Sequence, residues 1–158
     1  MSEGVEWALH CCLNLTWVES GEAMTAVQLA AFYELPAAYL NKQLQALSRA
    51  QILTSTPGPR GGFRLARPPE QITLLDVVTA IEGPGEVFRC EQVLRKGPAG
   101  REDVDYRKAC LISQSMRQAE LAWRRELAGQ TLADIKGRVE RQAPGTPHAT
   151  RTWFARRR

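Results

Sequence analysis

The first helix-like segment of the chain carries side chains that can bind metals or change oxidation state. In GVEWALHCCLNL, residues 4–15, Glu6 and His10 lie one helical turn apart, and the thiols Cys11 and Cys12 follow. Residues at i and i+4 project from the same helix face, so the carboxylate and the imidazole would lie side by side. Adjacent positions point in different directions, which favours packing roles for Cys11 and Cys12.

The other two cysteines, Cys90 and Cys110, lie far away along the chain. Residues 84–109 hold several glycines, prolines and mixed charges without periodicity, and such long loops are usually functional or disordered. In a reducing compartment these thiols are free, redox-active or metal-binding rather than structural disulfides. Glu6 and His10 also have a simpler interpretation, as a solvated pair on a helix surface.

Hydrophobic spacing predicts three helices in the first part of the chain. The first spans about residues 5–18, and the second opens at Thr25, because Thr25-x-x-Gln28 has the form of a capping box. Pro36 suits the first turn of a third helix, where its missing N–H costs nothing. One buried stripe on that helix is formed by Leu40, Leu44 and Leu47. Two short helices with a polar outer face are typical of a helix-turn-helix.

A wing is predicted directly after these helices. Two β-prone runs, residues 52–56 and 63–66, flank the turn sequence PGPRGG, which indicates a hairpin. Its glycines would let the backbone approach a duplex closely, and Arg60 at the tip would reach a groove or a phosphate. A fourth helix opens at Thr73-x-x-Asp76, another capping-box form, and ends at Gly83.

The last third of the chain predicts a dimerisation element. A long helix from about residue 110 to 128 has one apolar seam, formed by Ile112, Met116, Ala119, Trp123 and Leu127. A single seam on a long helix indicates a partner helix and hence a homodimer. A short helix opens at Thr131, and the Pro-, Thr- and Arg-rich end, with Trp153, is predicted to be a flexible and exposed tail.

The predicted fold class is mainly α with a small β-hairpin wing. Four parts follow one another: a winged helix-turn-helix DNA-binding domain at residues 1–83, a sensor loop at 84–109, the dimerisation helix with a short C-terminal helix at 110–142, and a flexible basic tail at 143–158.

The distribution of charge points to a nucleic-acid surface. The chain has 21 lysines and arginines against 17 acidic residues, but residues 141–158 hold five arginines and no acid, and elsewhere the charges nearly cancel. Residues 36–67 contain basic residues and no acid, which is typical of a surface that meets phosphate.

Other functional classes are less well supported by the sequence. No apolar run reaches the length of a membrane span and no secretory signal is present, so we expect a cytoplasmic protein without a membrane partner. The sequence has no nucleophile–base pairing, phosphate-cradling glycine loop or closed catalytic metal motif, and we therefore expect that it is not an enzyme.

Several residues are candidates for contact with double-stranded promoter DNA. Lys42 and Arg60 carry charge for phosphates, whereas Asn41 and Gln43 carry amides that can pair bidentately with adenine. The full set is Thr25, Gln28, Tyr39, Asn41, Lys42, Gln43, Arg60, Gly61 and Gly62. Two alternatives stay open. Thr25 could serve only to cap its helix, and the polar residues of the third helix could form an ordinary solvent-exposed face.

The segments EWAL, PAAYLNKQLQALSRAQIL, PRGGFRLARP and ITLLDVVTAIEG resemble the Rrf2 family of bacterial winged-helix transcription regulators. The resemblance covers residues 4 to about 125, and the wing with the helix after it is the most specific part. It implies a homodimer that binds palindromic promoter sites. Many members also hold a [2Fe–2S] or [4Fe–4S] cluster in the loop before the dimerisation helix.

The chain departs from the commonest cluster pattern of that family, which places three cysteines close together in the loop. Only Cys90 and Cys110 are available here, and a cluster needs four protein ligands. The arrangement resembles the redox-sensing response-regulator branch, which joins Glu and His of the first helix to two loop cysteines. By that resemblance Glu6, His10, Cys90 and Cys110 are the predicted ligands of a [2Fe–2S] cluster, with the two pairs coming from different subunits as a hypothesis.

The function predicted from the sequence is a homodimeric repressor or dual regulator whose promoter affinity follows the redox state or the presence of the cluster. One alternative is a cluster-free regulator in which Cys90 and Cys110 form a thiol–disulfide switch. Another is a regulator that responds to a small molecule or a partner protein. A structural zinc site at Cys90, Cys110 and His10 ranks lower, because the ligands lack zinc-finger spacing.

Overall fold

A computed structural model describes residues 1–18, 22–59 and 61–157 of the chain. In this part the elements are, in chain order, helices α1 (Glu3–Leu15), α2 (Ala26–Phe32) and α3 (Ala37–Arg49), strands β1 (Leu53–Thr56) and β2 (Gly62–Leu65), and helices α4 (Leu74–Glu82), α5 (Tyr106–Ala109), α6 (Leu111–Ala128), α7 (Leu132–Gln142) and α8 (Thr146–Ala155). Short 3-10 turns occupy Pro69–Gln71 and Val93–Lys96. The predicted class, mainly α with a hairpin wing, is confirmed.

The helix-turn-helix forms through local signals. At the start of α2 the Gln28 N–H donates to the Thr25 hydroxyl over 3.1 Å, and the Thr25 N–H donates to the Gln28 side-chain oxygen over 2.8 Å, which completes the capping box. Glu34 adopts a left-handed φ of 55° in the turn, and α3 then begins after Pro36. The leucine stripe of α3 is fully buried, as predicted.

The core is formed where α1, α2, α3 and α4 pack together, with the wing against them. Cys11 and Cys12 are fully buried in it, so their predicted packing role is confirmed. Burial raises the pKa of the Cys11 thiol to about 12, and burial together with the neighbouring Cys11 raises the pKa of Cys12 further. Both thiols therefore stay protonated at neutral pH.

The wing is fastened to the segment before α2. Strand β1 pairs antiparallel with β2, and Phe63 and Met24 exchange backbone hydrogen bonds of 2.8 and 2.9 Å. Gly62 has a φ of 143°, and a Cβ there would lie 2.5 Å from the carbonyl carbon of Met24. A side chain is excluded at this position, because the wing backbone must pass directly over the segment that leads into α2.

Two more capping boxes start α4 and α7, and a short backbone bridge connects the two caps. Thr73 with Asp76 caps α4, and Thr131 with Asp134 caps α7, in agreement with the prediction for Thr73. The two threonines form an isolated antiparallel bridge, and the Leu132 N–H donates to the Ile72 carbonyl over 2.9 Å. The chain after α6 therefore returns to the winged-helix domain.

The end of the chain differs from the prediction. Residues 143–158 were expected to form a flexible tail with Trp153 exposed, but α8 spans Thr146–Ala155, Trp153 is half-buried and Phe154 is only 2% exposed. The reason is aromatic packing, since Phe32 of α2 contacts both the Trp153 and Phe154 rings. These contacts outweigh the Pro- and Arg-rich composition, which by itself favours disorder.

No helix in the described part of the chain has the length and the apolar character needed to cross a bilayer.

Candidate DNA-binding face and cysteine site

The outward face of α3 carries three of the predicted DNA contacts. Tyr39, Asn41 and Lys42 are all exposed, and the buried leucines on the opposite side of the helix hold their orientation. The Tyr39 ring packs edge-on against Trp7 of α1, with 5.2 Å between the ring centroids. This face presents a phenol, an amide and an ammonium group, which suits contact with base edges and phosphates.

Gln43 was predicted to contact a base edge, and this prediction is wrong. Gln43 is only 8% exposed, because its spacing of three residues from Leu40 and four from Leu47 places it on the buried stripe. It packs against Gly4 of α1, where an added Cβ would come within 2.9 Å of the Gln43 amide. Gln45 takes the corresponding exposed position on the outward face, and the i+3 spacing from Lys42 could have identified it from sequence.

Thr25 and Gln28 have roles inside the molecule. Both are half-buried and both side chains take part in the capping box, and the Gln28 amide also donates to the Arg157 carbonyl over 3.0 Å. Their contact with DNA stays a prediction.

In the wing, the prediction for Arg60 lies outside the described residues. Gly61 is buried, and a Cβ there would overlap the Thr56 carbonyl, while Gly62 passes over Met24. The two glycines are therefore required by contacts within the chain, whereas the sequence suggested that close approach to DNA required them.

Glu6 and His10 lie exposed on α1, as their spacing predicts. Within the described residues neither side chain forms an ion pair or a hydrogen bond, and the His10 ring is 5.4 Å from the Tyr33 ring. The pair flanks Trp7 in sequence, and the Trp7 ring packs against Tyr39 of α3. Both groups are free to bind something outside their own chain.

The Cys90 thiol lies at the carbonyl of Tyr106, which also accepts a hydrogen bond from the Cys110 backbone. The Cys90 thiol lies 3.9 Å from that oxygen, and the Cys110 N–H donates to it over 3.1 Å. Both cysteines are half-buried, and Cys110 stands at the N-cap of α6. The fold thus places the Cys90 thiol against the backbone of the turn that leads to Cys110.

The sensor loop around these cysteines is held by polar contacts. The Arg95 guanidinium donates to the Val104 carbonyl over 3.1 Å, and the Tyr106 N–H donates to the Gln92 side chain over 3.2 Å. A cavity of about 660 Å³ lies beside Cys90. Its charged lining residues are Glu86, Arg89, Glu91, Asp105, Arg107, Lys108 and Arg117. The lining therefore mixes four basic and three acidic side chains around the Cys90 thiol.

Within the described part of a single chain, no group of three or more His, Cys, Asp or Glu side chains is gathered at one point. The cysteine pair and the Glu6–His10 pair are therefore separate in one protomer. The donor set of two thiolates and an imidazole fits iron, while the carboxylate is a harder and less usual ligand. A shared site would need a second chain.

Helix α6 carries apolar side chains that its own chain leaves uncovered. Leu111 is 74% exposed and Ile112 is 69% exposed, and Met116 and Leu121 are exposed as well. Trp123 and Leu127, at the other end of the predicted seam, are half-buried. The uncovered end of α6 begins directly after Cys110.

Known proteins resemble this chain over most of its length. The family model for Rrf2, described as "Iron-dependent Transcriptional regulator", matches residues 1–138. The HTH-type transcriptional regulator YwgB of Bacillus subtilis is 27% identical over 139 residues, which cover 88% of this chain and 85% of YwgB. The regulator YffB of Lactococcus lactis is 30% identical over 135 residues, covering 85% of each chain.

Solved structures show the same fold. The global cysteine regulator CymR of Bacillus subtilis aligns with a TM-score of 0.62 at 21% identity, covering 87% of this chain and 95% of CymR. The T. potens IscR structure aligns with a TM-score of 0.67 at 18% identity, covering 90% of each chain.

Proposed function

Because the chain belongs to the Rrf2 family of transcriptional regulators, we propose that it is a homodimeric, DNA-binding regulator whose promoter affinity is set by a [2Fe–2S] cluster. Glu6, His10, Cys90 and Cys110 would hold the cluster. When bound, it would supply a one-electron redox centre.

One observation carries this proposal, namely the contrast between the two sets of polar groups. Cys11 and Cys12 are buried and protonated, whereas Glu6 and His10 have no polar partner within the described residues. Cys90 lines a cavity, and its thiol lies at the same Tyr106 carbonyl that accepts from the Cys110 backbone N–H. Two pairs of groups able to bind metals, which one chain keeps apart, suit a site shared by two chains.

The exposed seam of α6 supports the dimer. Each large aliphatic side chain that a second α6 covered would contribute about 1.5–3 kcal/mol to association. Because Ile112 follows Cys110 closely, a partner at this seam would also lie close to the cysteine pair.

Trp7 connects the proposed ligands on α1 to α3, the second helix of the helix-turn-helix. Glu6 and Trp7 are adjacent, and the Trp7 ring packs on Tyr39 of α3 at 5.2 Å between centroids. A change in how α1 is held would therefore move or release Tyr39. Since the half-sites on DNA have fixed spacing, a small displacement of α3 would alter affinity.

A thiol switch remains a second candidate, and a specific contact favours it. The Cys90 thiol and the Cys110 backbone N–H both lie at the Tyr106 carbonyl, so the two cysteines are neighbours in the folded loop, and a disulfide would form if the loop moved to bring their sulfur atoms into contact. This switch would use neither Glu6 nor His10.

The test uses a duplex selected by the purified protein from a randomised pool, with affinity measured by fluorescence anisotropy on oxidised and reduced samples. We expect the two affinities to differ about 5–150-fold, the usual range of coupling between sites. The Glu6→Ala/His10→Ala variant should lose the difference while it still binds the duplex. A difference that survives in this variant but disappears in Cys90→Ala supports the thiol switch instead. Equal affinities of the oxidised and reduced wild-type protein would contradict redox control of either kind.

A further inference from the structure

Helix α8 is firmly docked on the DNA-binding domain. The Phe154 ring stacks on Phe32 of α2 with 5.2 Å between centroids and 18° between planes, and Trp153 meets the same ring edge-on at 4.9 Å. Thr150, one turn earlier, is 2% exposed. This helix lies beyond residues 1–138, which the Rrf2 family model matches. Its role therefore has to be inferred from its own contacts.

The end of α8 is held beside the start of the helix-turn-helix. Gln28 of α2 donates to the Arg157 carbonyl over 3.0 Å, and the Arg157 guanidinium lies 4.0 Å from the centre of the Trp153 ring. Gln28 also bonds Thr25, which follows Met24, the residue that pairs with Phe63 of the wing. A continuous series of contacts thus links the wing base, the start of α2 and the end of α8.

The charge at this end is strongly positive. Arg156 and Arg157 are exposed, and no ion pair within the described ranges involves either side chain. Residues 143–158 contain no acid. Arg151 differs from this pair, because it lies close enough to Glu140 to help lower the pKa of that carboxyl, after the larger effects of Lys136 and Trp17.

We propose that the end of α8, at Arg156 and Arg157, is an additional contact with duplex DNA, binding backbone phosphates next to those met by the wing. The partner is DNA because the arginine pair is fixed to the same structural unit as the wing and α2. Phosphate contacts need only charge and position, and both are present here. The inference rests on the DNA binding proposed above and adds a contact that the winged helix alone lacks.

The experiment measures binding of a fluorescein-labelled mixed-sequence 40-base-pair duplex between about 50 and 250 mM salt, where each lost phosphate contact lowers the slope of log K against log salt by about 0.9. The variants are Arg156→Gln/Arg157→Gln and Arg156→Lys/Arg157→Lys. The matched control is Arg138→Gln/Arg141→Gln on α7, where both arginines are exposed and the charge loss is the same. Tryptophan fluorescence checks that α8 stays docked.

We expect the Gln pair to lower the slope by about 0.9–1.8 per protomer, and the Lys pair and the α7 control to keep the wild-type slope. The inference is overturned if the Gln pair behaves like the control, or if the Lys pair loses as much as the Gln pair, since charge would then not be the cause. If the wild-type protein itself shows no salt-dependent duplex binding, the proposed DNA-binding function fails as well.

Discussion

The winged-helix domain buries its apolar and sulfur-containing side chains, whereas the sensor loop and α6 leave many of theirs exposed or half-buried. In the domain, Leu44 and Cys12 are fully buried. In the loop and α6, Val87 is 76% exposed, Leu111 is 74% exposed, and Cys90 is only half-buried. The domain completes its core within a single chain, whereas the loop and α6 leave apolar surface and the Cys90 thiol accessible to solvent or to a partner.

Under the function proposed above, this difference places regulation in the loop and α6. A DNA-binding face built on a complete core keeps its shape, because close-packed interiors are not continuously deformable. A loop and helix that leave apolar surface uncovered respond to whatever covers them. Within the described residues α6 packs on the domain through α4, while α1 is buried on one face and carries Glu6 and His10 exposed on the other.

The largest expected effect concerns the cysteines. With iodoacetamide at pH 8 on the metal-free folded protein, Cys90 and Cys110 should be labelled while Cys11 and Cys12 are protected. A pKa raised from 9.0 to about 12 lowers the thiolate fraction of Cys11 by a factor of about a thousand. Mass spectrometry of the digested protein identifies the labelled sites. Equal labelling of all four would show that the core is open.

The raised pKa of Cys11 also makes the free energy of unfolding depend on pH. A folded-state pKa above the unfolded value means that the stabilising, protonated form of Cys11 is fully present below pH 9. This contribution is lost as the pH rises from about 9 towards 12. A Cys11→Ala variant should therefore show a weaker fall in unfolding free energy over that range, as measured by urea titration at fixed pH values.

The next effect compares leucines of the two regions. Leu44→Ala removes a fully buried side chain and should lower the free energy of unfolding by about 2–5 kcal/mol. Leu94→Ala, in the loop, removes a side chain that is 47% exposed and should change it by less than about 0.5 kcal/mol. Equal losses in urea unfolding would remove the distinction between the regions.

A smaller effect distinguishes the α6 seam from ordinary exposed apolar residues. Ile112→Glu would place a carboxylate in the proposed dimer interface, and we expect the dimer dissociation constant to rise at least about tenfold. Val93→Glu, at a similarly exposed loop position, is the matched control and should leave it unchanged. Sedimentation measurements over a concentration series give both constants. A chain that is monomeric before mutation would contradict the proposed interface.

Local signals were sufficient to predict most of the fold. The capping boxes at Thr25 and Thr73, the leucine stripe of α3 and the wing glycines each act within a few residues, and each has the expected local structure. Their effect depends little on distant parts of the chain, which explains why a single sequence reveals them.

Tertiary contacts explain the failures. Gln43 was assigned to the outer face because it is polar, but Gly4 of α1 leaves room for it underneath. The end of the chain was assigned to a flexible tail because it is rich in arginine and proline, but Phe32 supplies an aromatic surface for α8. The contact of the Cys90 thiol with the Tyr106 carbonyl, sixteen residues away, likewise depends on the folded loop.

The most direct measurement of the central claim is iron and acid-labile sulfide analysis of protein purified without oxygen, together with its absorption spectrum. A [2Fe–2S] cluster in each site predicts about two irons and two sulfides per chain, lost in Cys90→Ala/Cys110→Ala and retained in Cys12→Ala. The Glu6→Ala/His10→Ala variant should have an altered spectrum or reduced iron content. Wild-type protein that is colourless, with no iron or sulfide, would contradict the claim.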